Sequence, residues 1–177
     1  MKSKLIALSA ISAGFVGIIL TVGAYFELVD LFTLVISSVF VILPLYYNSF
    51  KSAFLTFLAG GVIAFLFSGF NIFTVVFPAY FLFFGLYPIV KFFTQDKRVN
   101  KTLFFILGLV WCVLSIFGIY YFYVFVMKIP FDGIPKFIAD YIEVFIGLLG
   151  VVFYLVYDRY LFVMRSFTHK YLSKIIK

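Results

Sequence analysis

Charge is what this chain has least of. Only 12% of its 177 residues are charged, against 66% apolar and 24% aromatic. So little polar surface cannot cover a water-soluble globule, which excludes that class and leaves an integral membrane protein. Histidine is almost missing as well, since His169 in the basic C-terminal stretch is the only one. There is consequently no His pair for a metal, no Ser-His or Cys-His constellation inside an apolar run, and no glycine-rich phosphate loop. An enzyme, a metal centre or a bound cofactor is therefore not expected. The single Cys112 permits no intrachain disulfide. Strand-like alternation of apolar and polar residues is absent too, which argues against a transmembrane barrel.

What fills the chain instead is a series of apolar runs long enough, at about 1.5 Å per residue, to cross a hydrocarbon core of roughly 30 Å. Cutting at charges, prolines and polar clusters gives six predicted spans, at 5–26, 28–43, 52–68, 72–90, 102–127 and 140–157. The second is short, and its end rests on Pro44, which cannot continue a helix cheaply. The first has Lys2 and Lys4 ahead of its apolar core, as a secretory signal would, but the core is long for a signal and is kept as a span. Without repeats or a dividing linker, the expected architecture is one all-α transmembrane domain over 1–177, ending in a tail at 158–177. That tail sets Leu161, Met164, Thr168, Tyr171, Leu172 and Ile175 against Arg165, His169, Lys170 and Lys174, the pattern of a basic amphipathic helix lying on the inner leaflet or meeting a partner.

Lys and Arg alternate strongly between the two sides of such a bundle. Lys2, Lys4, Lys51, Lys91, Lys97, Arg98, Lys101, Arg159, Arg165, Lys170, Lys174 and Lys177 fall on one side, and Lys128 and Lys136 on the other. The rule that positive loops stay inside then predicts cytoplasmic N- and C-termini. It also turns the net charge of +7 into a cytoplasmic skirt facing anionic headgroups, with no need for a nucleic-acid partner. Richness in Phe, Ile and Lys suggests an AT-rich bacterial genome, hence the plasma membrane of a bacterium.

The carboxylates distribute the other way. Glu27, Asp30, Asp132, Asp140 and Glu143 fall at the outer side, and only Asp96 and Asp158 inside. Asp140 and Glu143 have the spacing of a capping box, which by itself explains both. A second reading comes from the helical projection, where Asp140, Glu143, Gly147, Gly150 and Tyr154 share one stripe. Glycine suits close helix approach rather than lipid, so this stripe is expected to face inward and carry Glu143 towards a ligand. Both readings stay open at this point. Similar stripes run through Ala10, Ala13, Gly14, Gly17, Thr21 and Ala24, and through Ala53, Thr56, Gly60, Ala64 and Ser68. The first contains two small-xxx-small pairs, Ala10 with Gly14 and Ala13 with Gly17, for packing within the chain or docking on another membrane subunit. Pro78 falls inside the fourth span and predicts a kink. Trp111 near mid-depth reads as packing, and most tyrosines as interfacial belts.

Six helices in under 200 residues, small residues on the cytoplasmic half of the first helix and polar residues at the outer ends together make the chain resemble the substrate-binding S components of energy-coupling-factor vitamin transporters. Those proteins typically carry an alanine-spaced AxxxA pattern in the first helix. Here the nearest match runs from Ala10 to Gly14, with glycine in the last position. The resemblance implies a binding subunit without ATPase activity, capturing a micronutrient outside and meeting a membrane coupling subunit and ATPases inside. An acidic mouth rich in Tyr and Phe suits a cationic or aromatic ligand. Candidate ligand contacts are Glu27, Asp30, Asn71, Asp132 and Glu143, and candidate partner contacts are Ala10 and Gly14. The competing class is a small scaffold or assembly protein of the cell-elongation type, with the same stripes and no ligand. A proton-coupled carrier is less attractive, because no carboxylate is expected at mid-depth.

Overall fold

A computed structural model describes residues 2–71, 74–96, 100–126 and 141–175. Six helical stretches among them are long and apolar enough to cross a membrane: Ser3–Tyr25, Asp30–Tyr47, Phe50–Phe67, Val76–Gln95, Lys101–Phe125 and Ile142–Thr168. The fold is all-α, and a multi-pass membrane protein in contact with lipid follows from these lengths and hydropathies. In order, the helices are α1 (Lys2–Tyr25), α2 (Asp30–Ile42), α3 (Phe50–Phe67), α4 (Val76–Ala79), α5 (Leu86–Asp96), α6 (Lys101–Tyr121) and α7 (Ile142–Ile175). The second span is α2 prolonged by a 3-10 segment, Leu43–Tyr47, and the fourth is α4 joined to α5 by a π-turn, Tyr80–Phe84. A further π-turn, Phe122–Val126, prolongs α6.

The two prolines act differently. The α-helix of the second span ends at Ile42, just before Pro44 as expected, but the span continues as the 3-10 segment, with Pro44 in its first turn, where its missing N–H is not needed. The helical path ends instead at Asn48, in a left-handed conformation with φ 54°. Pro78 likewise lies in the first turn of α4, since the helix starts at Val76. The irregularity comes just after it, where the Gly85 N–H reaches back five residues to the Tyr80 carbonyl at 2.8 Å.

That wide turn lets neighbours reach backbone carbonyls from the side. The Trp111 indole on α6 donates to the Leu82 carbonyl at 2.9 Å, so this tryptophan ties two spans together. Trp111→Phe is expected to lower stability by about 1 kcal/mol, read as a lower thermal midpoint in detergent. An unchanged midpoint would mean the bond contributes nothing.

Helix α1 packs along α3 and α2, while α6 pairs with α7, and the broken fourth span lies between these groups. Its central place shows in burial, since 67% of its most apolar window is buried against 17% for the fifth span. Mean hydropathy runs the opposite way, 1.6 against 2.5, as expected where lipid is the outer solvent. The α1–α3 seam is set by glycines. A Cβ on Gly60 would stand 2.5 Å from Val16 Cγ1 and 3.2 Å from the Ala13 carbonyl. Gly17 faces Ile63 just as closely.

Candidate functional site

The strongest polar constellation in the described bundle joins α5 to α7. Tyr87 and Lys91 are one turn apart on α5, and Tyr154 and Asp158 one turn apart on α7, so each pair shares a helical face. Lys91 is only 3% exposed. Its Nζ donates to Asp158 Oδ1 at 2.6 Å and to the Asp158 backbone carbonyl at 2.8 Å. The Tyr87 hydroxyl donates to the same Oδ1 at 2.6 Å. Tyr154 donates to the Phe105 carbonyl on α6 at 2.9 Å, and its oxygen lies 3.0 Å from that of Tyr87. Two hydroxyl protons thus serve three short contacts, which couples the orientation of both tyrosines to the charge on Asp158. Space for the pair comes from Gly108 on α6, where a Cβ would meet the Tyr154 hydroxyl and stand 2.9 Å from the Tyr87 ring.

Aromatic rings enclose the network. Phe83 stacks on Tyr87 with centroids 4.9 Å apart, and Trp111 approaches Tyr87 edge-on at 6.2 Å. Such a low-dielectric sleeve strengthens the ion pair and makes an unpaired charge there costly. Beside it opens a cleft of about 180 Å³, lined by Lys91, Thr94, Gln95, Lys101 and Asp158, with Phe104 and Phe105 as its apolar wall.

Sequence reasoning missed this site. It placed Lys91 in a loop beyond residue 90 and Asp158 in a tail beyond residue 157, yet the fourth span runs to Gln95 and α7 continues unbroken to Ile175. A usable signal was present, in the matching spacings Tyr87-x-x-x-Lys91 and Tyr154-x-x-x-Asp158 with opposite charges. The amphipathic tail is the second half of α7. There Leu161 is fully buried and the Arg165 guanidinium lies 4.5 Å from the centre of the Phe92 ring, so part of its apolar face packs on the bundle.

The carboxylates read from the sequence are dispersed at the opposite end. Glu27 falls in the short turn Glu27–Val29, and its side chain is outside what is described. Asp30 opens α2 and lies within Coulombic reach of Tyr123. Asn71 is exposed just after a left-handed turn at Gly69 and Phe70. Asp132 and Asp140 lie outside the described residues. Glu143 is in the first turn of α7, where its charge suits the helix dipole, and its Oε1 accepts from the Tyr121 hydroxyl at 2.7 Å. It is exposed, so the predicted inward stripe divides. Gly150 and Tyr154 are buried, while Gly147 has nothing within 4 Å of where a Cβ would be. The division has a packing cause: a Cβ on Gly150 would stand 3.1 Å from Ile116, whereas one on Gly147 has no such neighbour. Of the five candidates, Glu143 thus bonds a tyrosine at the end of the fifth span, while Asp30 reaches Tyr123 there only through its charge.

The first-helix pairs divide as well. Ala13 and Gly17 are buried against α3, whereas Ala10 is exposed and Gly14 has nothing within 4 Å of a built Cβ. Beside them runs an apolar groove of about 270 Å³, lined by Ser9, Ala10, Ala13, Thr56 and Ala59 among others. Among the described residues no group of three or more His, Cys, Asp and Glu side chains comes together to hold a metal.

No family model matches this chain, and no curated protein or solved structure matches it either.

Proposed function

We propose that the protein is the substrate-binding subunit of a bacterial plasma-membrane importer for a vitamin-like micronutrient, of the energy-coupling-factor type. Coupling subunit and ATPases come from partner chains, and this chain performs no bond-making chemistry. One observation carries the reading. Of the two small-residue pairs on α1, Ala13 and Gly17 are buried against the bundle, while Ala10 is exposed along an apolar groove and Gly14, half-buried, has nothing within 4 Å of where a Cβ would be. Small residues let helix backbones approach closely in lipid, so an uncovered pair suits a second membrane subunit.

The ligand end is assigned to the far side, with Glu27, Asp30, Asn71, Asp132 and Glu143 as its polar contacts. Carboxylates next to tyrosine rings, as at Glu143 with Tyr121, favour a cationic or aromatic solute. The deciding experiment is purification in mild detergent followed by mass spectrometry of the bound small molecules. A stoichiometric vitamin-like compound is the expected result. Absence of any ligand together with co-purification of wall-synthesis proteins would replace this reading by the scaffold class. With the ligand in hand, Glu143→Gln should weaken its binding about tenfold, the effect of losing a charged hydrogen bond. Unchanged affinity would return Glu143 to a role at the helix start.

A further inference from the structure

The cleft beside the Lys91–Asp158 pair has features that the importer reading does not use. Lys91 carries three N–H donors, and two are taken by Asp158. The third is available to the cleft that Lys91 lines. Gln95 accepts from Arg165 through Oε1 at 3.4 Å, which leaves its amide NH₂ as a donor. Lys101 adds a second ammonium at the start of α6, the positive end of that helix, where the Thr102 amide is already taken by the Asn100 side chain. The one carboxylate in the lining, Asp158, is engaged by both Lys91 and Tyr87. Arg159 lies within Coulombic reach of Lys91, so the surroundings stay net positive despite Asp158.

Depth and size narrow the ligand further. Thr94 and Gln95 close the fourth span and Lys101 opens the fifth, so the cleft sits at the boundary between hydrocarbon and headgroups. Its volume of about 180 Å³ is several times the roughly 30 Å³ of one water. Phe104 and Phe105 give it an apolar wall suited to the carbon skeleton of an ester.

We propose that this cleft binds a phosphate ester anion, held by Lys101, the third N–H of Lys91 and the Gln95 amide. Two sources share that chemistry: an anionic phospholipid headgroup and a soluble phosphate ester. The Lys and Arg count puts this end of the bundle at the cytoplasm, where both occur. The proposal stands apart from the importer reading, since it involves neither the far-side carboxylates nor the Ala10–Gly14 groove.

The test uses the full chain purified in mild detergent and exchanged into nanodiscs of phosphatidylcholine, with or without phosphatidylglycerol. Native mass spectrometry after release reads retained lipid, and the thermal midpoint in phosphatidylcholine alone reads the effect of glycerol 3-phosphate at constant ionic strength. Retention of phosphatidylglycerol over phosphatidylcholine is expected, falling about tenfold in Lys101→Ala and surviving in Lys101→Arg. Lys51→Ala removes an exposed cation outside the cleft and should leave retention intact. A midpoint raised by glycerol 3-phosphate, without lipid preference and lost in Lys101→Ala, would assign the soluble source. No response to either ligand would overturn the proposal. So would equal losses in Lys51→Ala and Lys101→Ala, because the attraction would then be diffuse surface charge.

Discussion

Asp158→Ala is expected to destabilise the bundle by about 3 kcal/mol, the low end of the cost of leaving one member of a buried ion pair without the other, because the Asp158 side chain is itself 21% exposed to the cleft. The ammonium of Lys91, only 3% exposed, would lose its side-chain acceptor and keep only the backbone carbonyl of residue 158. Tyr87 would lose its acceptor in the same step. The consequence should spread to Tyr154, because the Tyr87 proton freed from Asp158 can then turn to the Tyr154 oxygen, while Tyr154 keeps its own bond to the Phe105 carbonyl. The measurement is a denaturation midpoint in detergent for the wild type, Asp158→Ala, and the closed cycle of Lys91→Met, Asp158→Leu and Lys91→Met/Asp158→Leu. In the double variant no charge remains in the sleeve, and apolar side chains of similar bulk fill it, so it should be more stable than either single variant. Strict additivity of the two single losses would show that the pair is not an energetic unit.

That ion pair also shows where reading the sequence ran out. The six spans were legible because lipid demands long uninterrupted apolar runs, and the chain supplies them. Their ends are less so, because Lys91 and Asp158 read as charges that close a span. Lys91 and Asp158 are charges within spans, tolerated since each neutralises the other across two helices. Nothing local to residue 91 announces residue 158, so only the repeated Tyr-x-x-x-charge spacing could have linked them. Pro78 misleads for a related reason: a proline in a first turn starts a helical segment as readily as one in mid-helix disturbs it. The small-residue stripe of α1 was legible as a contact surface, but one sequence could not tell which of its two faces the chain itself would cover. The acidic far end was legible only as a list of residues. Bringing Asp30 near Tyr123 and Glu143 onto Tyr121 depends on how the fifth span meets its neighbours.

Leucine placed at Gly60 and at Gly14 should give different outcomes, although both are glycines within α-helices. At Gly60 the added Cβ would meet Val16 Cγ1 at 2.5 Å and the Ala13 carbonyl at 3.2 Å. The Val16 Cβ, 2.6 Å away and fixed to the α1 backbone, cannot turn aside, so α1 must shift from α3. A loss of about 3 kcal/mol, at the upper end for overpacking, is expected for Gly60→Leu in the denaturation midpoint. At Gly14 a Cβ meets nothing within 4 Å, and leucine forms helices better than glycine. Gly14→Leu should therefore be neutral or slightly stabilising. Equal stability of the two variants would mean that α1 is not seated on α3 through Gly60. The same contrast separates folding from assembly, because Gly14→Leu fills the uncovered face while leaving the seam intact. If a coupling subunit docks at Ala10 and Gly14, Gly14→Leu should lose that subunit on co-purification yet keep its midpoint and any bound ligand. A variant that keeps its partner with a leucine there would move the docking surface off α1.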